Sequence, residues 1–138
     1  MAIDKVTSNP YDEIQEGLEI IKMQIRKTYK SVNPELLFSE VKDFTLKQGA
    51  VVNDSKMETF SSPNDSSSFI SRGTLTFSVP NKTGKGNNSG LSVHIVGSAK
   101  DETKLIMDVD EKLFPKDKLA ALQDDLDFIF SSYEVKSA

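Results

Sequence analysis

Histidine and cysteine, which often do chemistry in proteins, are nearly absent from this chain, whereas serines and aspartates are many. His94 is the only histidine, and the 138 residues include no cysteine. The single histidine excludes a metal site built on two histidines. The absence of cysteine excludes a cysteine nucleophile. A general base at His94 would need an oriented nucleophile or water beside it, and no Gly-x-Ser-x-Gly element supplies a nucleophilic serine. We therefore predict that His94 is a solvated side chain on the polar face of a strand.

The glycine-rich stretch of residues 83–90 is the one candidate for a phosphate cradle, because successive backbone N–H groups can hold an anion. A Walker loop places four residues between its first glycine and Gly-Lys-Ser/Thr, and it leads from a strand into a helix. Here Gly86 follows Gly84-Lys85, and the next residues alternate as a strand does. The pattern favours a hairpin loop over residues 80–90.

Paired carboxylates occur at Asp108 and Asp110, on one face of a predicted strand and near its end. Such a pair can bind a divalent ion or act as acid and base, but the third ligand and the glycine of an EF-hand loop are missing. The acids at 124, 125 and 127 fall on the outer face of the predicted last helix, where a solvated acidic surface is the default. We therefore predict no catalytic residue, no metal ligand and no cofactor, in a protein that is not an enzyme.

Basic residues concentrate at 22–30. On a helix, Lys22, Arg26 and Lys30 would share one face and mark a partner surface, although they also suit the negative end of a helix dipole. The whole chain has 17 basic and 21 acidic residues and a net charge of −4. Because nucleic-acid binders usually carry a basic surplus, this balance disfavours DNA or RNA. We expect another protein, or a second copy of the chain, as the partner.

Three segments of alternating hydrophobicity predict strands of one antiparallel sheet, since side chains alternate between the two faces of a strand. The segments cover residues 69–79, 91–98 and 104–110. A fourth strand over residues 50–60 is predicted at the sheet edge, and residues 61–68 are predicted to be a loop. The apolar positions of the three alternating segments are Phe69, Leu75, Phe77 and Val79; Leu91, Val93 and Ile95; and Leu105, Met107 and Val109.

Two helices have clear boundary signals. Asn33-Pro34-Glu35 predicts the start of a helix over residues 34–47, and Gly49 suits the position after its end. Phe114-Pro115 opens the last helix, whose apolar residues recur at spacings of three and four. That stripe consists of Leu119, Leu122, Leu126, Ile129 and Tyr133.

The first third of the chain fits two interpretations. A stripe from Tyr11 to Val32 at helical spacing, after the start signal Asn9-Pro10, predicts a helix over residues 10–30. Alternatively, Gly17 ends a short helix and residues 19–32 form a strand, which would place Lys27 on the apolar face. We favour the helix because its stripe accommodates more residues.

These elements predict an α+β domain over residues 9–136, preceded by a flexible tail at residues 1–8. A four-stranded antiparallel meander sheet would carry two N-terminal helices and the long C-terminal amphipathic helix on one face. The N-terminus lacks the apolar core of a signal peptide, and no apolar run is long enough to span a bilayer. We therefore expect a cytoplasmic protein.

Two functions follow from this fold. The first is a non-enzymatic module that binds another protein through the exposed sheet face or the 50–60 edge strand. The second rests on a resemblance in element order only: with a strand at 19–32, the chain is similar to a small helix-grip (START-like) domain. That resemblance implies an apolar ligand between the sheet and the C-terminal helix, contacting Leu75, Phe77, Val93, Ile95, Met107, Leu122, Leu126 and Ile129.

Overall fold

Five antiparallel strands form one sheet in the computed structural model, which describes residues 22–62, 65–80, 89–98 and 101–135. The strand order is β1-β5-β4-β3-β2, so the first strand pairs with the last. Two helices lie on one side of the sheet, which confirms the α+β class with its antiparallel sheet. The elements are β1 (Lys22–Lys30), α1 (Pro34–Lys47), β2 (Val51–Ser62), β3 (Asp65–Ser78), β4 (Leu91–Gly97), β5 (Glu102–Asp110), α2 (Lys116–Phe130) and a 3₁₀ turn (Ser131–Tyr133).

The helix predicted over residues 10–30 is wrong for its second half. Residues 22–30 are β1, which pairs with β5 from Lys22 opposite Asp110 to Lys30 opposite Glu102. Because this segment satisfies both a helical and a strand period, tertiary pairing with β5 decides its structure. The sheet therefore has five strands, not four, and the described residues contain one helix before β2 rather than two. Residues 10–21 and the tail predicted at 1–8 lie outside the described residues.

Helix α1 has the predicted bounds, and its caps have the expected chemistry. The Asn33 side chain accepts hydrogen bonds from the backbone N–H groups of Glu35 and Leu36, at 2.7 and 3.4 Å. Pro34 occupies the first turn, where no N–H is needed. Gly49 has a φ of +91°, a backbone conformation that residues with side chains rarely adopt. The Asn33 hydrogen bonds and Pro34 therefore begin the helix, and Gly49 follows its end, at the residues that the sequence predicts.

The predicted edge strand is confirmed as β2, which lies at the end of the sheet opposite β1. The loop predicted at residues 61–68 is wrong: β2 continues to Ser62, and β3 begins at Asp65. The long β2–β3 ladder, with Phe60 opposite Ile70, extends into this serine-rich stretch because backbone pairing depends little on side-chain hydrophobicity. Phe69, predicted on the apolar face, is 54% exposed.

The core fills the space between the helices and one face of the sheet. Leu119, Leu122 and Leu126 of α2 are buried as predicted, but Ile129 is 39% exposed, and Phe130 is buried in its place. At 100° per residue, Phe130 points within about 20° of Leu119, whereas Ile129 is about 80° away. The Phe130 ring packs on Tyr29 of β1, with 5.7 Å between ring centroids. Tyr133, the last predicted member of the stripe, is also exposed.

Candidate functional site

The sheet face opposite the helices, which we call the outer face, is not covered by any element in the described residues. Burial alternates along β4, where Val93 and Ile95 are buried and His94 is exposed. Strand β5 alternates in the same way, with Leu105 and Met107 buried and Lys104 exposed. The outer face is therefore a regular surface open to a partner as far as the described residues show, and His94 is an exposed residue on it, as predicted.

Each of the five strands contributes one exposed basic or titratable side chain to a band that crosses the outer face. The strand register places these residues in two adjacent rows that run across the sheet. In the first row each residue lies directly opposite the next one on the neighbouring strand, in the order Arg26, Ile106, His94, Thr74 and Lys56. The next row contains Lys104 and Arg72 on either side of Val96, with the exposed Glu58 of β2 directly opposite Arg72. We name these five residues the outer band: Arg26, Lys104, His94, Arg72 and Lys56.

The outer band crosses the full width of the sheet. Four strand spacings of about 4.8 Å give it a length of about 19 Å. Ile106 and Val96 lie between its charges and are only partly buried, so the band has an apolar centre. Arg72 and Lys104 have no carboxylate within ion-pair distance among the described residues, whereas Lys56 Nζ lies 3.6 Å from Glu58 Oε2. Arg72 and Lys104 are thus outside the ion pairs of the described residues, although Glu58 is the cross-strand neighbour of Arg72.

Arg26 and Lys30, two of the three residues predicted as a partner surface, are exposed residues of β1 in this arrangement. Lys22 is the first residue of the same strand. The Arg26 Nε donates a hydrogen bond of 2.7 Å to Gln24 Oε1, which holds its guanidinium along the strand. Lys56, Arg72 and Lys104 are not predictable as site residues from the sequence, because they are distant in sequence and converge only through the strand register.

The residues predicted to hold an apolar ligand meet between the sheet and α2, with one exception. Seven of them are fully buried in one core, whereas Ile129 lies at the surface. A ligand there would have to separate side chains that now pack on one another, so this function stays a prediction. The strand before α1 on which the helix-grip resemblance depended is present as β1. The seven buried residues are Leu75, Phe77, Val93, Ile95, Met107, Leu122 and Leu126.

An open pocket of about 430 Å³ lies where β1 begins and β5 ends. Met23 and Val109 contribute apolar walls, and Gln24 and Asp108 contribute polar ones. The two carboxylates that the sequence singled out are already engaged: Asp108 Oδ1 accepts a hydrogen bond from Gln24 Nε2 at 2.8 Å, and Asp110 Oδ1 accepts one from the Lys112 backbone N–H at 3.1 Å. The described residues contain no group of three or more side chains that could hold a metal ion.

A polar cluster joins β1 to the C-terminal segment on the helix side of the sheet. Lys27, which is only 15% exposed, lies 3.4 Å from Asp127 and 3.5 Å from Glu134. The Val135 N–H donates a 2.7 Å hydrogen bond to the Thr28 carbonyl, so the segment pairs with the free edge of β1. Lys27, the residue that argued against a strand at the sequence level, is thus compensated by two carboxylates.

Tyr29 lies beside this cluster, and its buried hydroxyl has no hydrogen-bond partner among the described residues. Burial, reinforced by the negative charges of Glu134 and Asp127, raises the pKa of Tyr29 well above its ordinary value of 10.0. The unfolded chain releases this proton near pH 10, whereas the folded protein retains it. Stability should therefore fall by about 1.4 kcal/mol per pH unit as pH rises above 10.

Replacing Tyr29 with phenylalanine should remove this pH dependence and the unpaired hydroxyl together. We expect the free energy of unfolding at neutral pH to be unchanged or to increase by up to about 1 kcal/mol, because no hydrogen bond is lost. Above pH 10, Tyr29→Phe should lose stability less steeply than the wild type. Urea unfolding across this pH range measures both effects. A clear loss of stability at neutral pH would contradict the prediction.

Comparison with protein-family models, curated proteins and solved structures finds no match to this chain. A proposal about its function therefore rests on the structure alone: an α+β domain with one sheet face packed under helices and the other open. Neither of the helices in the described ranges is long and apolar enough to cross a membrane.

Proposed function

We propose that this chain is a non-enzymatic docking domain whose outer face binds an acidic, amphipathic segment of another protein. The outer band supports this proposal, because it collects one exposed basic or titratable residue from every strand on a face that no described element covers. The β2 edge strand is a less suitable surface. It carries exposed charges at Asp54, Lys56 and Glu58 and a register shift after Val52, both of which discourage the addition of a further strand.

The chemistry of the outer band suits a short acidic segment with apolar side chains. Carboxylates of the partner would pair with Arg72 and Lys104, while an apolar side chain would cover Val96 and Ile106. Charges at a partly exposed interface mainly increase specificity and association rate, and desolvated apolar contacts contribute more of the affinity. The combination of a basic band and an apolar centre therefore favours an amphipathic acidic partner.

A long polyanion such as nucleic acid suits this face less well. Acidic residues lie around and within the band: Asp108 and Asp54 are on one side, Glu102 is on the other, and Glu58 lies in the second row, opposite Arg72. A phosphate backbone that extends past the band would meet these carboxylates, and the net charge of −4 would repel it at longer range. A segment no longer than the band avoids both effects.

Reversing the two central charges should weaken binding of a glutamate-rich amphipathic peptide. We expect the double variant Arg72→Glu/Lys104→Glu to bind about tenfold more weakly than the wild type, since each exposed ion pair contributes at most about 1 kcal/mol. The matched control is Lys112→Glu/Lys116→Glu, which changes the net charge equally, in the turn after β5 and in α2. Fluorescence anisotropy with a labelled peptide measures the dissociation constants.

Two outcomes would overturn the proposal. If the control weakens binding as much as the band variant, the peptide responds to net charge rather than to the outer band. If a single-stranded oligonucleotide binds more tightly than the peptide, the band recognises nucleic acid and the protein-docking function is wrong.

A further inference from the structure

The chain itself contains a segment with the chemistry that the outer band favours. Residues 9–21, which lie outside the described part, include four acidic residues and no lysine or arginine. Apolar residues lie between and beside these acids, without a regular period. The acids are Asp12, Glu13, Glu16 and Glu19, and the apolar residues are Tyr11, Ile14, Leu18, Ile20 and Ile21.

We propose that residues 9–21 dock on the outer band of their own chain, so that a partner must displace them to bind. The claim that a partner must displace the segment rests on the proposed function, because both concern binding at the outer band. The docking within the chain is a separate claim, and it can be tested without a partner.

The attachment of the segment places it within reach of the band. Ile21 is joined to Lys22, the first residue of β1, and Arg26 of the band lies four residues along that strand, about 13 Å away. Residues 9–21 can span up to about 45 Å when extended. This length is enough to reverse direction beside the open pocket at the start of β1 and then to cross a band about 19 Å long.

Charge distinguishes the outer band from the exposed side of α2, which also carries a large exposed apolar group. The exposed side of α2 presents Phe128, but it also carries Asp117 and Asp124, which repel an acidic segment. On the outer face, Arg72 and Lys104 attract the same acids, and Ile106 and Val96 offer apolar contacts. The sign of the charges therefore favours the outer band over the exposed side of α2 as the docking surface.

His94 gives a direct measurement of this docking. It is the only histidine in the sequence and lies in the middle of the outer band, so its ring protons give a single reporter signal in an NMR spectrum. In the full chain, Glu13→Gln/Glu16→Gln should shift the His94 ring-proton signals at a fixed pH, because carboxylates near the imidazole are lost. The matched control Asp117→Asn/Asp124→Asn on α2 removes the same charge and should leave the His94 signals unchanged.

The same variants report on competition with a partner. If residues 9–21 occupy the band, Glu13→Gln/Glu16→Gln should bind the glutamate-rich peptide severalfold more tightly than the wild type, because an intramolecular competitor is weakened. The control should bind as the wild type does. A His94 shift that depends on protein concentration would show docking on a second copy and would overturn the intramolecular form.

Failure of this inference is distinguishable from failure of the proposed function. If the segment variant changes neither the His94 signals nor the peptide affinity, the docking is wrong, while the band can still bind the peptide in a way that Arg72→Glu/Lys104→Glu weakens. If the peptide binds no form of the chain but the His94 signals shift only in the segment variant, the proposed function is wrong and the docking is supported.

Discussion

Replacing Phe77 with alanine should lower the free energy of unfolding by about 3–5 kcal/mol. Phe77 is fully buried near the end of β3, with Leu91 opposite it on one neighbouring strand and Val52 on the other. Removal of its ring leaves a cavity that these neighbours cannot fill, because they are held in register by backbone pairing. Since a domain of this size is typically stable by about 5–15 kcal/mol, the change would remove a large part of its stability.

A matched phenylalanine on the surface provides the control for this substitution. Phe60 is 49% exposed on β2, so Phe60→Ala should cost no more than about 1 kcal/mol. Urea unfolding of both variants, followed by circular dichroism, gives the comparison. Equal losses from the two substitutions would mean that Phe77 is not part of a tightly packed core.

Replacing Gly97 with alanine should cost about 3 kcal/mol, because the added methyl group has no space. A Cβ built at Gly97 lies 2.5 Å from the Glu102 carbonyl oxygen and 2.5 Å from the Thr103 Cα. Both atoms belong to the backbone of β5, which cannot move without breaking the β4–β5 ladder. Thr103 is also anchored by its hydroxyl, which donates a 2.7 Å hydrogen bond to the Val32 carbonyl.

Gly73 offers a comparison in which the obstruction can move. A Cβ there meets the ring of Phe38 at 2.5 Å, but this ring is a side chain on a helix and can rotate away. Gly73→Ala should therefore cost less than Gly97→Ala, about 1 kcal/mol. Thermal unfolding of both variants tests the order, and a larger loss at Gly73 would show that the β4–β5 pairing is more adaptable than the packing of α1.

Helix α1, which has local boundary signals, was predictable, whereas β1 and the extent of the β2–β3 ladder were not. Asn33, Pro34 and Gly49 specify the ends of α1 through hydrogen bonds and backbone angles within a few residues, so neighbouring sequence contains the information. The segment that forms β1 has two compatible periods, and its structure depends on β5, which is distant in the chain. Sequence patterning alone does not contain that pairing.

Of the outer band, the sequence indicated only Arg26, as part of a partner surface, and His94, as a solvated strand residue. Arg26 and the nearby Lys30 were predicted as a partner surface because basic residues cluster at residues 22–30. Arg72 and Lys104 are isolated in sequence and become neighbours of Arg26 and His94 only when the strand register is known. The order of strands, not any local motif, assembles the outer band.

The pairing of β1 with β5 also determines when this chain can complete its fold during synthesis. Gln24 and Asp108, which are joined by a side-chain hydrogen bond, are 84 residues apart in sequence. β1 leaves the ribosome long before its ladder partner exists, and the Val135 N–H that satisfies its free edge is made later still. The sheet can therefore grow as a β2–β3–β4 hairpin series but closes only after β5 has been made. Such late, long-range closure is characteristic of slow folding and leaves β1 in need of protection as a nascent strand.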